Sequence, residues 1–199
     1  MPPDVEVYKI TAGGVTELMD EWNDKAKGFI QDALKQHLAK RFGFEIKFID
    51  EEWLKREHKE LWNSNRALYN AVATSALSHA YAMSPNAFPD KVKNFDYTLG
   101  EKLQNLAQVC EADALLFIYG FDYEATAGRN LLLVWNILLG ASVIPINPSA
   151  MMMGLVDGRT GDVTWFKTTP FDSEYSFRSN KDITTIIEWL TRDLMIEKK

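Results

Sequence analysis

Apolar and polar residues alternate at the start of the chain. Val5 and Val7 flank Glu6, and Tyr8 and Ile10 follow, a two-residue period that predicts a short strand ending at Thr11-Ala12-Gly13-Gly14. The period then becomes helical: Val15, Leu18, Met19, Trp22, Ala26, Phe29, Ile30, Ala33, Leu34 and Leu38 keep to i, i+3, i+4, i+7 spacing. Glu17, Asp20 and Glu21 stand in its first turns and Lys35, Lys40 and Arg41 in its last, as the helix macrodipole favours. Gly43 closes this helix, and Phe44 to Ile49 alternates strictly, which predicts a second strand. Strand, helix and strand in this order imply a right-handed βαβ unit.

Asp50 is placed to cap a second helix, with Glu51 and Glu52 in its first turn. Helix-forming residues run on to about Met83, with Asn63-Ser64-Asn65 as a candidate break and Pro85 to Pro89 as loop. Thr98-Leu99-Gly100-Glu101 fits a capping box for a helix with the apolar stripe Leu99, Leu103, Leu106, Ala107 and Cys110. The apolar run Ala114 to Tyr119 predicts a central strand buried on both faces. Ala150 to Val156 and Val163 to Thr169 flank a Gly- and Asp-rich turn, the pattern of an antiparallel hairpin. Ile183, Ile186, Ile187, Leu190 and Leu194 give a last amphipathic helix. With no repeat, low-complexity segment or linker, the expectation is a single α/β domain over 1–199. Its mixed sheet has about five strands, parallel in the βαβ portions and antiparallel at the C-terminal hairpin, with helices packed on it.

Composition narrows the function. The 199 residues are 46% hydrophobic and 25% charged, an ordinary globular balance. The net charge of −6 argues against a nucleic-acid surface, which would carry a basic footprint. The single cysteine, Cys110, excludes an intramolecular disulfide and reads as a buried thiol on a helix face. With His37, His58 and His79 scattered, no zinc-ligand spacing exists.

From Asn130 to Val156 the chain carries no charged residue and no histidine. Within residues 129–148, an apolar insertion between strands, the run Leu131 to Leu139 is interrupted by Asn136 and followed by Gly140, Pro145 and Pro148. A spanning helix needs about 20 apolar residues, so none is expected here. The stretch reads as core, as a buried interface with a partner or second copy, or as a membrane-contacting patch. Arg129, Leu132, Trp135 and Leu139 are the interaction residues of the latter two readings, with Met151, Met152 and Met153 nearby.

Catalytic patterns are incomplete. Gly13-Gly14 follows a strand and precedes a helix, the position of an anion-binding turn, but neither phosphate-loop motif is present and Glu17, Asp20 and Glu21 would repel phosphate. A tight βα turn is the plainer reading. There is no G-x-S-x-G elbow and no H-E-x-x-H. Glu57, His58 and Glu60 read as a solvated, charge-paired helix face. Asp157, Arg159 and Asp162 share a turn, where Asp ordinarily bonds its own backbone. No cofactor is expected.

The segment Gly154-Leu155-Val156-Asp157-Gly158-Arg159-Thr160-Gly161-Asp162-Val163-Thr164-Trp165 resembles the hairpin of small bacterial cell-envelope lipoproteins similar to the TolB N-terminal domain and to the periplasmic domain of the curli-secretion lipoprotein. Glu111-Ala112-Asp113-Ala114-Leu115-Leu116 resembles their helix-to-strand passage, with Glu111 where Gly is usual. The likeness covers roughly Thr98 to Phe171. It implies a periplasmic, membrane-anchored lipoprotein, tethered by a lipidated Cys upstream of this chain, that binds a protein partner or forms a homo-oligomer without catalysis. The alternatives are a cytoplasmic protein, and an enzyme of unrecognised type with a ligand site at the strand C-terminal ends near Gly13-Gly14.

Overall fold

The computed structural model describes residues 1–11, 13–42, 45–81, 87–125, 149–169 and 175–194, with backbone alone at 39–42. Strand β1 (Asp4–Ile10) buries Val5 and Val7 and leaves Asp4, Glu6 and Tyr8 half-buried, the alternation predicted. The chain then turns at Gly13-Gly14 into β2 (Thr16–Leu18), antiparallel to β1 with Lys9 opposite Glu17. Gly14 takes φ 82°, a conformation that favours glycine, and donates its N–H to the Thr11 carbonyl at 2.9 Å.

The helix expected from Val15 therefore begins later, as α1 (Asp20–Phe42). Val15 and Leu18 fit its stripe by spacing, but β-branched Val15 and Thr16 after a Gly-Gly turn favour a hairpin strand. Within α1, Ala26, Ile30, Ala33, Leu34 and Leu38 are buried as predicted.

No strand forms over 45–49, and Phe44 lies outside the described residues. The physical reason is that both edges of β1 are taken, one by β2 and the other by β3 (Ala114–Ala125). β3 runs parallel to β1 from Asp4↔Tyr119 to Ile10↔Ala125. The crossover to the parallel strand is thus much longer than the single-helix βαβ unit predicted.

Asp50 caps α2 (Glu51–Glu57), its carboxylate accepting the Glu52 N–H at 2.9 Å. The helical run breaks at His58 (φ −136°, ψ 33°), not at Asn63-Ser64-Asn65, and resumes as α3 (Lys59–Ser75) and a π-helical turn, Ala76–Ala80. Asn65 stays helical because its amide donates back to the Leu61 carbonyl, 2.9 Å away. Helix α4 (Pro89–Lys93) is short, and α5 (Lys102–Cys110) buries Leu103, Leu106, Ala107 and Cys110 as expected. Thr98 does not cap α5. Its hydroxyl accepts from Gly100 N–H (2.9 Å) and donates to the Gly161 carbonyl (3.1 Å), so it ties two turns together instead.

The hairpin β4 (Ser149–Asp157) and β5 (Val163–Thr168) forms where predicted, closed by Asp157 N–H to the Asp162 carbonyl at 2.9 Å. The last helix, α6 (Asn180–Leu190), buries Ile183, Ile186, Ile187 and Leu190. The strand order is β2-β1-β3-β4-β5, a mixed sheet with β1 and β3 parallel, so the α/β expectation holds. β3 is central, but Tyr119, Phe121 and Tyr123 on it are only half-buried, so its two faces are not equally covered.

The chain divides into two compact units: Met1–Pro2, Lys47–Ile118 and Met152–Lys167 form one, and Pro3–Ile46, Tyr119–Met151 and Thr168–Lys199 the other. In the first, α3 packs on α5, and the Tyr69 ring stacks on Phe117 at 4.7 Å above buried Leu103 and Leu106. In the second, α1 packs on α6 and β1 around Ile30, Phe177, Ile183 and Ile187.

Candidate functional site

The interaction residues expected from sequence, Arg129, Leu132, Trp135 and Leu139, lie outside the described residues. The end of the uncharged stretch is β4 itself. Met151, Met152 and Met153 are at most 4% exposed, so they are packing residues rather than interface residues. The Gly13-Gly14 turn joins two strands, not a strand and a helix. With β2 between it and α1, the anion-binding geometry at a helix N-terminus is not built there, and the βα turn expected is a β-hairpin turn.

Groups with chemical potential are committed to the fold. Cys110 is fully buried, and that burial pushes its thiol pKa up, away from the reactive thiolate. His58 sits edge-on to Trp53 with ring centroids 4.9 Å apart, and His79 stacks on Phe88 at 4.1 Å. Asp157 Oδ1 accepts the N–H groups of Arg159 (2.8 Å) and Thr160 (3.0 Å), so it closes its own turn. Among the described residues no three His, Cys, Asp or Glu side chains are grouped to hold a metal ion. Two open depressions, about 790 and 350 Å³, are lined by mixed charges such as the Arg56–Glu57 pair and by Glu111 and Arg159.

Among the described residues the most buried carboxylate is Asp122 on β3. It accepts from Ser176 Oγ at 3.1 Å and Phe177 N–H at 2.8 Å, and burial still holds its pKa above the usual carboxylate range. Beside it Arg178 pairs with Glu124 and lies over the Trp22 ring, 5.0 Å from its centroid. This network pins the turn before α6 to the strand.

The segments that carry the lipoprotein resemblance are also structural. Gly158 donates to the Asp113 carbonyl at 2.8 Å, and a β-carbon there would meet Ala107 Cβ at 2.8 Å. Gly161 accepts the Leu99 N–H at 2.7 Å. The hairpin turn thus clasps α5 at both ends. Glu111 ends α5 at φ 52°, ψ 50°, the left-handed position that glycine normally fills.

Among the described residues, one sheet edge remains without a partner strand. At the far edge, β5 is covered in part: Val163 N–H donates to the Tyr97 carbonyl (2.8 Å), and the Tyr81 hydroxyl donates to the Phe166 carbonyl (2.9 Å). At the near edge, β2 is exposed along its whole length, with Val15 at 62% and Leu18 at 48%. The ladder shows which backbone groups are free. Met19 N–H donates to the Val7 carbonyl (3.0 Å) and Thr11 N–H to the Val15 carbonyl (2.9 Å), so Val15, Glu17 and Met19 turn their backbone toward β1. Thr16 and Leu18 then turn theirs outward, presenting two N–H and two C=O groups at the edge. Where β2 gives way to α1, Asn23 Oδ1 accepts the Val7 N–H at 2.6 Å and completes the inner ladder. Helical spacing concealed this edge in the sequence; the signal that could have found it is the Gly-Gly turn followed by Val15-Thr16.

No family model, curated protein or solved structure matches the chain. Among the described residues no helix is long and apolar enough to cross a membrane.

Proposed function

We propose that this chain is a non-enzymatic protein-binding or assembly module of the cell envelope, akin to the lipoproteins its hairpin resembles, and that it engages a partner by strand addition at β2. The observation that carries this reading is the open β2 edge, with outward backbone at Thr16 and Leu18 and exposed Val15 and Leu18 beside it. An unpaired edge is a template for another strand, and proteins that do not use one normally shield it, as Tyr97 and Tyr81 do for part of β5 here. The left-handed Glu111 supports the resemblance, because it explains in physical terms why glycine is usual at that position.

The test is a photo-crosslinking residue in place of Val15, in the full chain in the cells that make it, followed by fractionation. The expected result is a discrete adduct in the membrane fraction that disappears when Thr16→Pro removes an outward N–H. An adduct that persists in the Thr16→Pro protein refutes strand addition, and a protein found wholly in the cytoplasm refutes the envelope assignment.

A further inference from the structure

From the geometry and charge of the β2 edge we infer the chemistry of its partner: an extended segment in which one Lys or Arg is flanked on both sides by β-branched or aromatic residues. This rests on the strand-addition reading above and adds to it what the edge selects.

The alternation of the sheet sets the pattern. Thr16 and Leu18 share a face with Ile10 and Tyr8, their register partners, while Glu17 shares the opposite face with Lys9. A strand added outside β2 places one residue beside Glu17 on that opposite face. Its two neighbours fall beside Thr16 and the exposed Leu18. Glu17 has no ion-pair partner among the described residues, although Lys9 stands opposite it in register. From Gly13 to Asp24 the chain carries Glu17, Asp20, Glu21 and Asp24 and no Lys or Arg, and all four carboxylates are exposed. Among the described residues, Glu21 alone of the four has an ion-pair partner, Lys25 at 2.6 Å. With four carboxylates against Lys9 and Lys25, the edge keeps a net negative field toward whatever strand pairs with it, and a basic residue opposite Glu17 meets it.

The same charge disfavours a second copy. Antiparallel pairing of β2 with β2, with Thr16 opposite Leu18, sets Glu17 directly against Glu17, and like charges facing across strands are destabilising. Shifting the register toward Met19 runs into α1, which starts at Asp20.

The experiment uses the full chain and synthetic ten-residue peptides, read by amide hydrogen exchange at Thr16 and Leu18 and by titration calorimetry. An alternating Lys/Val peptide is expected to protect both amides. Its Glu/Val counterpart, and a Lys/Val peptide N-methylated at alternate residues, are expected not to. Glu17→Gln is expected to weaken Lys/Val binding by about two- to fivefold, the range of one cross-strand charge pair. If Lys/Val and Glu/Val protect equally, strand addition stands and the basic partner is overturned. Equal binding of the N-methylated Lys/Val peptide means charge alone is at work, which overturns both. Protection by none of the peptides overturns strand addition at this edge, and light scattering that shows a dimer abolished by Thr16→Pro makes a second copy the occupant and overturns the inference.

Discussion

Two glycines with left-handed φ separate backbone strain from steric exclusion in the hairpin clasp. Gly100 (φ 69°) has nothing within 4 Å of the position a β-carbon would take. Gly161 (φ 79°) would place that carbon 2.3 Å from the Gly100 carbonyl oxygen and 2.9 Å from its carbon. Gly100→Ala costs the left-handed conformation, about 1–3 kcal/mol, less about 0.4–1 kcal/mol recovered from the stiffer unfolded chain. Gly161→Ala bears the same cost and must also open a contact to roughly 3.5–4 Å, a shift of more than an ångström against backbone rather than a pliant side chain.

That movement is opposed by two hydrogen bonds to the Gly161 carbonyl, from Leu99 N–H (2.7 Å) and Thr98 Oγ1 (3.1 Å). At about 0.5–1.5 kcal/mol each, their loss makes Gly161→Ala about 1–3 kcal/mol more destabilising than Gly100→Ala. Urea unfolding of both variants measures the difference directly, and thermal unfolding should show Gly161→Ala melting roughly 2–12 °C below Gly100→Ala. If the two variants lose the same stability within about 0.5 kcal/mol, the turn does not clasp α5 as described.

Glu111→Gly relieves the left-handed C-cap at the cost of an exposed ion pair to Lys47 (3.0 Å), so a net gain of about 1 kcal/mol is expected in urea; a loss would show that the ion pair outweighs the strain. Cys110 should resist a thiol reagent in the native protein and react fully once unfolded; rapid native labelling would contradict its burial. Asp122 binds its proton more tightly in the folded state than in the unfolded chain. Its contribution to stability is therefore full below the ordinary aspartate pKa and is lost as pH rises through the raised one. Asp122→Asn should flatten that fall in stability, measured by urea unfolding between about pH 3 and 7; an unchanged slope would assign it to another group.

Periodicity was a reliable guide wherever one face of an element is buried along its full length. The stripes of α1, α5 and α6 follow directly from the spacing of Ile30, Leu34, Leu103, Leu106, Ile183, Ile187 and Leu190. It misled where pairing, not periodicity, decides. Residues 45–49 alternate as well as β1 does, yet both sides of β1 are taken by β2 and β3; Val15 and Leu18 keep helical spacing, yet the Gly13-Gly14 turn folds them back on β1. His58 interrupts a run of good helix formers without any Gly or Pro to announce it. Local propensity cannot foresee such breaks, because they are set by what the next helix must pack against.

The residues of the proposed docking edge were hidden for the same reason. A catalytic site would be legible as residue types at fixed spacing, but an edge is defined by what fails to pair. Thr16 and Leu18 matter for their backbone, and neither side chain advertises the role. Sequence could show that Gly13 to Asp24 is acidic; only the register Lys9↔Glu17 shows that this charge lies along a strand with one side open. Charge and free backbone on the same three residues are what convert an ordinary hairpin into a selective surface. Steric access alone would admit any strand, and charge alone would attract any cation. Under the proposed strand addition, their coincidence at β2 selects a segment that is both extended and basic at its centre, so the N-methylated and Glu/Val peptides test separate halves of that proposal.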